Sequence, residues 1–139
     1  MEKLRAIVLT AALLAGCTGG QPGGPVAPAT VGPGQILVEA KLVHVTPTPD
    51  PRTVLPYRRA MVGNIYEVKK VLTGVCEPRR IMVAQWAIRN SRKLPAAWQV
   101  AQTYRLVLEK YSDNPKVKDE KLVMDTDEFD LPLYYCAGP

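Results

Sequence analysis

From residue 35 onward, apolar and polar positions alternate with the period of β-strands rather than helices. Gln35 to Thr46 (QILVEAKLVHVT) is rich in Ile, Val and Leu, alternates in its first half, and ends where Pro47, Pro49 and Pro51 cannot donate to a ladder. It predicts a strand, followed by a proline-stiffened loop, TPTPDPRTVLP. Ala60 to Thr73 places Val62, Tyr66, Val68 and Leu72 on one period-2 face and Ile65, Glu67 and Lys69 on the other, then stops at Gly74. That is the pattern of a half-buried antiparallel strand. Arg80 to Arg89 is apolar on both faces, Ile81, Val83 and Ala87 opposing Met82, Trp86 and Ile88, so it should be central in a sheet.

Ser91 to Gln102 has Pro95 where a first helical turn tolerates it, then Ala-Ala-Trp-Gln-Val-Ala-Gln, which allows a short helix. Thr103 to Tyr111 alternates Tyr104, Leu106 and Leu108 against Arg105, Val107 and Glu109, giving another strand. After the polar loop SDNPKVKDE, the apolar pieces Leu122 to Met124 and Leu131 to Cys136 can each add one more. The expected class is all-β with room for one short helix, a small five- to six-stranded antiparallel OB-like barrel. Tyr66 to Gly74 (YEVKKVLTG), followed by Ile81-Met82-Val83, resembles the second and third strands of netrin-like modules, the OB barrels related to tissue inhibitors of metalloproteinases. The resemblance covers about a quarter of the chain. It implies a barrel fold but no inhibitory role, because the family's dense disulfides and N-terminal metal-chelating cysteine are absent.

The N-terminus follows a different pattern. Lys3 and Arg5 precede an apolar run from Ala6 to Ala15, broken only by Thr10 and too short to cross about 30 Å of hydrocarbon. It reads as a secretory signal. The run ends Leu13-Leu14-Ala15-Gly16-Cys17, which resembles the lipobox of bacterial lipoproteins. That resemblance implies cleavage before Cys17, a diacylglyceryl thioether on its sulfur, and acyl chains contributing about 0.8 kcal/mol per buried methylene. The small residues Ala15 and Gly16 give the peptidase access. Thr18 in place of Asp favours, by the same resemblance, the outer membrane of a Gram-negative cell envelope.

The chain therefore divides into a signal peptide, 1–16, a lipidated tether, 17–34, and a single folded domain, 35–139. Thr18 to Gly34 (TGGQPGGPVAPATVGPG) is uncharged and Gly/Pro-dominated, with nothing to build a core, so it is expected to be disordered. Loss of Lys3, Arg5 and Glu2 from the 18 basic and 13 acidic residues leaves 16 and 12, a surplus of four. Such a surplus suits anionic lipid, lipopolysaccharide or acidic polymers but falls short of a nucleic-acid-binding composition.

Candidate chemistry is sparse. Cys76 and Cys136 remain after lipidation; in an oxidising envelope they can pair, closing a loop of about 60 residues for roughly 4 kcal/mol, stay as thiols, or bridge to another chain. His44 is the lone histidine and has no cysteine pair nearby, so it cannot anchor a typical zinc site. Ser91 and Ser112 both lie in polar connections and outside any nucleophile elbow. Asp125, Asp127, Glu128 and Asp130 form an oxygen-rich loop, a weak calcium candidate without EF-hand spacing, which otherwise reads as a solvated acidic loop. Trp98 and the adjacent Tyr134 and Tyr135 are candidates for a ligand surface, since consecutive strand residues point to opposite faces. The basic pairs Arg58-Arg59, Lys69-Lys70, Arg79-Arg80 and Arg92-Lys93 recur at strand ends and read mainly as solvated edges.

No catalytic set and no cofactor is implied. The first expectation is a lipid-anchored envelope binding or assembly module, held at the membrane through Cys17 and facing another envelope protein or polymer rather than nucleic acid. A glycan or peptidoglycan binder using Trp98 and a final tyrosine is the second. A hydrolase using two carboxylates of Asp125 to Asp130, which would have to stand about 5 to 9.5 Å apart, is the third.

Overall fold

The computed structural model describes residues 31–95 and 98–136. They form seven strands: β1 Ile36–His44, β2 Ala60–Thr73, β3 Arg80–Arg89, β4 Arg92–Lys93, β5 Thr103–Lys110, β6 Lys121–Met124 and β7 Leu133–Cys136. Short 3-10 turns occupy Pro51–Val54 and Tyr111–Asp113. The first is capped by Asp50, whose carboxylate accepts from the Arg52 amide at 2.9 Å.

Five strands close a small barrel in the order β1, β2, β3, β7, β5 and back to β1, with two further strands outside it, so the all-β barrel class expected from the sequence is the one observed. A ring of alternating antiparallel neighbours needs an even number of strands, so a five-stranded ring must contain a parallel pair. That pair is β3 with β7, Met82 to Ala84 beside Leu133 to Tyr135. β6 lies outside the ring and also runs parallel, beside Ala60 to Gly63 of β2, a stretch that β1 does not reach.

The interior is filled as period-2 alternation requires. β1 contributes Ile36, Val38, Ala40 and Leu42, β5 Tyr104, Leu106 and Leu108, β3 Ile81 and Val83, and β7 Tyr134 and Cys136. Tyr66 meets Tyr104 edge to face, 6.4 Å between centroids. β3 is buried on both faces because a second apolar layer covers the barrel's outside. Met61 and Ala84 pack there with Val117, Leu122, Leu133 and Tyr135. The segment after β5 is folded over them, the Tyr111 hydroxyl donating to the Val117 carbonyl at 2.8 Å.

Three expectations need correction. Leu72 does not hold the inward position on β2; Val71 does, packing on the core beside Val68. The ladder pairs Ala40 with Val68 but Glu39 with Lys70, so one extra β2 residue is accommodated and the alternation inverts. Asn64, omitted from the predicted apolar face, is inside the barrel and fully buried. Finally, the described part of Ser91 to Gln102 contains no helix. Asn90 and Ser91, at φ 52° and 61°, make a tight hairpin turn, and β4 folds back on β3 with Arg92 opposite Arg89. At the far end of the segment, the Leu42 amide donates to the Gln102 carbonyl and the Ala101 amide to the Leu42 carbonyl, both at 2.8 Å. Backbone groups committed to β1 cannot also close helical turns.

Candidate functional site: a basic and aromatic end of the barrel

The start of β2, the end of β3, the β3–β4 turn and the start of β6 meet at one end of the molecule. Ladder pairing sets Ala60 beside both Ile88 and Lys121. The loop before β2 is fastened to this end by Val54, which is buried against Ala60 and Ile88 with Val123 alongside. The Tyr57 amide donates to the Val54 carbonyl and the Ser91 amide to the Arg58 carbonyl, each at 2.9 Å. Basic residues that are scattered in sequence therefore become neighbours.

Arg52, Arg58 and Arg59 come from the loop, Arg89, Arg92 and Lys93 from the hairpin, and Lys121 from β6. Residues 50–60, 88–93 and 120–121 contain seven basic and only two acidic side chains, Asp50 and Glu120, a surplus of five. Residues 17–139 carry 16 basic and 12 acidic side chains, so outside these segments 9 basic face 10 acidic and the net positive charge comes from this end. Both acids are engaged. Asp50 accepts from Arg52, which holds its carboxyl below the usual range, with Lys93 adding a smaller attraction. Glu120 pairs with Arg59.

Aromatic rings are interleaved with the cations. Trp86 lies under two guanidinium groups, Arg59 at 5.3 Å and Arg89 at 5.2 Å from the ring centroid. Its indole N–H donates to the Tyr135 hydroxyl at 3.0 Å, which ties the ring to β7. The Lys121 ammonium stands 5.9 Å from the Tyr57 ring. These contacts hold long side chains in place, so part of their ordering entropy is already spent when an anion arrives. The chemistry on offer is recognition of negative charge by fixed guanidinium and ammonium groups.

The residues singled out from sequence are dispersed. Cys17 lies outside the described residues, as do the signal peptide and most of the tether. Cys76 is a free thiol, so the Cys76–Cys136 bridge is not formed. Its sulfur faces the Tyr134 hydroxyl and the Pro78 carbonyl, each at 3.9 Å, whereas Cys136 lies one full pleat beyond Tyr134, at the end of β7. Partial burial pushes the Cys76 thiol above its ordinary pKa. Tyr134 is buried inside the barrel, Tyr135 joins the outer layer, and Trp98 is half-buried against the interior core, so the three present no common platform.

In the acidic loop, Glu128 is turned to Arg80 at 2.6 Å and the Asp125 carbonyl meets the His44 ring. Among the described residues no group of three or more His, Cys, Asp or Glu side chains could hold a metal ion, so Asp125, Asp127, Glu128 and Asp130 assemble no cation site there. Sequence reading missed Tyr57, Trp86, Arg89 and Lys121 as parts of one surface. The available signal was that two of the four basic pairs, Arg58-Arg59 and Arg92-Lys93, flank two strands that follow one another in the sequence. Neither a protein-family model, nor a curated protein, nor a solved structure matches the chain.

Proposed function

We propose that this chain is a lipid-anchored module of the bacterial cell envelope that works by binding, its basic and aromatic end being the contact surface. The anchor rests on the lipobox-like Leu14-Ala15-Gly16-Cys17 behind a charged start and a short apolar run. The binding role rests on one observation, the gathering of seven basic and only two acidic side chains around Trp86 and Tyr57. An OB-like barrel is a rigid support for such a surface, and the OB resemblance is of this architectural kind. Stacking of a glycan on Trp98 and one of the final tyrosines draws less support, because Trp98 packs on the interior core, Tyr134 is buried with it, and Tyr135 lies in the outer layer.

Lipidation is tested by growing bacteria that express the full chain with a clickable palmitate analogue and fractionating the membranes. Label is expected on the native chain and absent from Cys17→Ser, and its membrane retention should resist high salt only in the native chain. Equal labelling of the two would sink the anchor. The contact surface is tested by in-cell crosslinking of the native chain against an Arg58→Gln/Lys93→Gln form. Crosslinks should fall in the variant, and unchanged crosslinks would remove this end from consideration.

A further inference from the structure

The loop that carries three of the seven basic side chains also carries two exposed large apolar ones. Leu55 is 62% exposed and Tyr57 46%, although Val54 beside them is buried and pins the loop. Two large apolar side chains are thus exposed on a fastened loop that also carries Arg52 and Arg58, with Lys121 5.9 Å from the Tyr57 ring and Lys93 near enough to attract Asp50. We infer that this end of the barrel docks on an anionic lipid bilayer, Leu55 and Tyr57 entering the headgroup region while the surrounding cations meet lipid phosphates.

The occupant follows from the combination. A soluble polyanion would reward the cations but gain nothing from an exposed leucine beside them. A bilayer offers both, since apolar side chains partition below the headgroups, tyrosine favours the interface, and Lys and Arg stems lie along it with their charges outward. Charge complementarity also orients the molecule. Phe129, 70% exposed, stands among Asp127, Glu128 and Asp130, which an anionic leaflet repels. Each basic side chain near such a leaflet contributes roughly fivefold in affinity, screened by salt. The inference rests on reading this end as the contact surface but not on the Cys17 anchor.

The test uses the unlipidated full-length Cys17→Ser chain and sedimentation with vesicles of phosphatidylcholine alone or mixed equally with phosphatidylglycerol. Binding should be strong only on the anionic vesicles and weaken with salt. Adding Arg58→Gln/Lys93→Gln should cost about 25-fold, from two cations at roughly fivefold each. The same neutralisation at Lys69 and Lys70, an exposed pair at the other end of β2, should cost much less. Leu55→Trp should give an emission shifted to the blue on anionic vesicles alone. Equal binding to both vesicle types, equal loss from the Lys69/Lys70 variant, or an unshifted Leu55→Trp spectrum would each overturn bilayer docking. If vesicle binding fails while Arg58→Gln/Lys93→Gln still removes in-cell crosslinks, the surface stands and the bilayer falls. Loss of neither would remove both.

Discussion

At the scale of single residues, the barrel interior holds a polar network within an otherwise apolar fill. The Gln85 side-chain carbonyl accepts from the Asn64 amide and from the Tyr66 hydroxyl, both at 2.8 Å, and the Asn64 carbonyl accepts from the Thr46 amide at 2.9 Å. All four residues are buried. Removing the shared acceptor strands two donors, whereas removing one donor leaves the acceptor satisfied. Gln85→Leu should therefore destabilise the protein by about 3 kcal/mol and Tyr66→Phe by about 1 kcal/mol in urea unfolding. Equal effects would mean that Gln85 is not the hub.

Tyrosine ionisation links stability to pH at the alkaline end. Burial raises Tyr66 and Tyr134 above the ordinary value of 10.0, Tyr134 to about 12 with Cys76 adding to the rise. Because the folded-state value lies above the unfolded one, the contribution is complete below pH 10 and is lost as pH rises from 10 towards 12. The urea midpoint should fall across that window, and Tyr134→Phe should flatten the fall. None of this was legible in the residue string, where Asn64 and Gln85 are only polar letters in apolar runs. Their burial is decided by strand register.

At the scale of elements, the strands were legible wherever alternation was clean. β2 and β3 end at the very residues predicted, Ala60–Thr73 and Arg80–Arg89. The errors arose where backbone geometry departs from the period. The β2 bulge beside Lys69 and Lys70 exposes both lysines and exchanges Leu72 for Val71, a shift that hydrophobic pattern alone cannot signal. The hairpin after β3 was missed because Ser91 is an unusual residue for a positive φ. Glycine adopts that conformation without a side-chain clash, so Ser91→Gly should stabilise the protein by about 0.5–1 kcal/mol, read as a higher urea midpoint. A lower midpoint would mean that the Ser91 side chain has a role beyond the turn.

At the scale of the whole molecule, the two ends differ. Leu37 pairs with Thr73 at the end where the chain enters the barrel, while the basic surface gathers around Ala60 at the other end of β2. An anchored chain must therefore reach past the barrel to lay that surface on a membrane. Residues 17–34 span at most about 60 Å when extended, against roughly 40 Å for the length of β2, so the reach is sufficient. Lipidation and docking are thus compatible, and the palmitate and vesicle experiments separate their contributions.

By itself the sequence determined the all-β character, the positions of six of the seven strands and the modest positive charge, because period and composition are local properties readable along a chain. Only the tertiary structure decided which strand closes the barrel in parallel, which polar groups lie inside, and that Arg58, Arg89, Arg92, Lys93 and Lys121 share one end with Tyr57 and Trp86. Those are properties of pairing between distant segments. A one-dimensional pattern sets each strand's faces but not its neighbours, and the candidate site is made of neighbours.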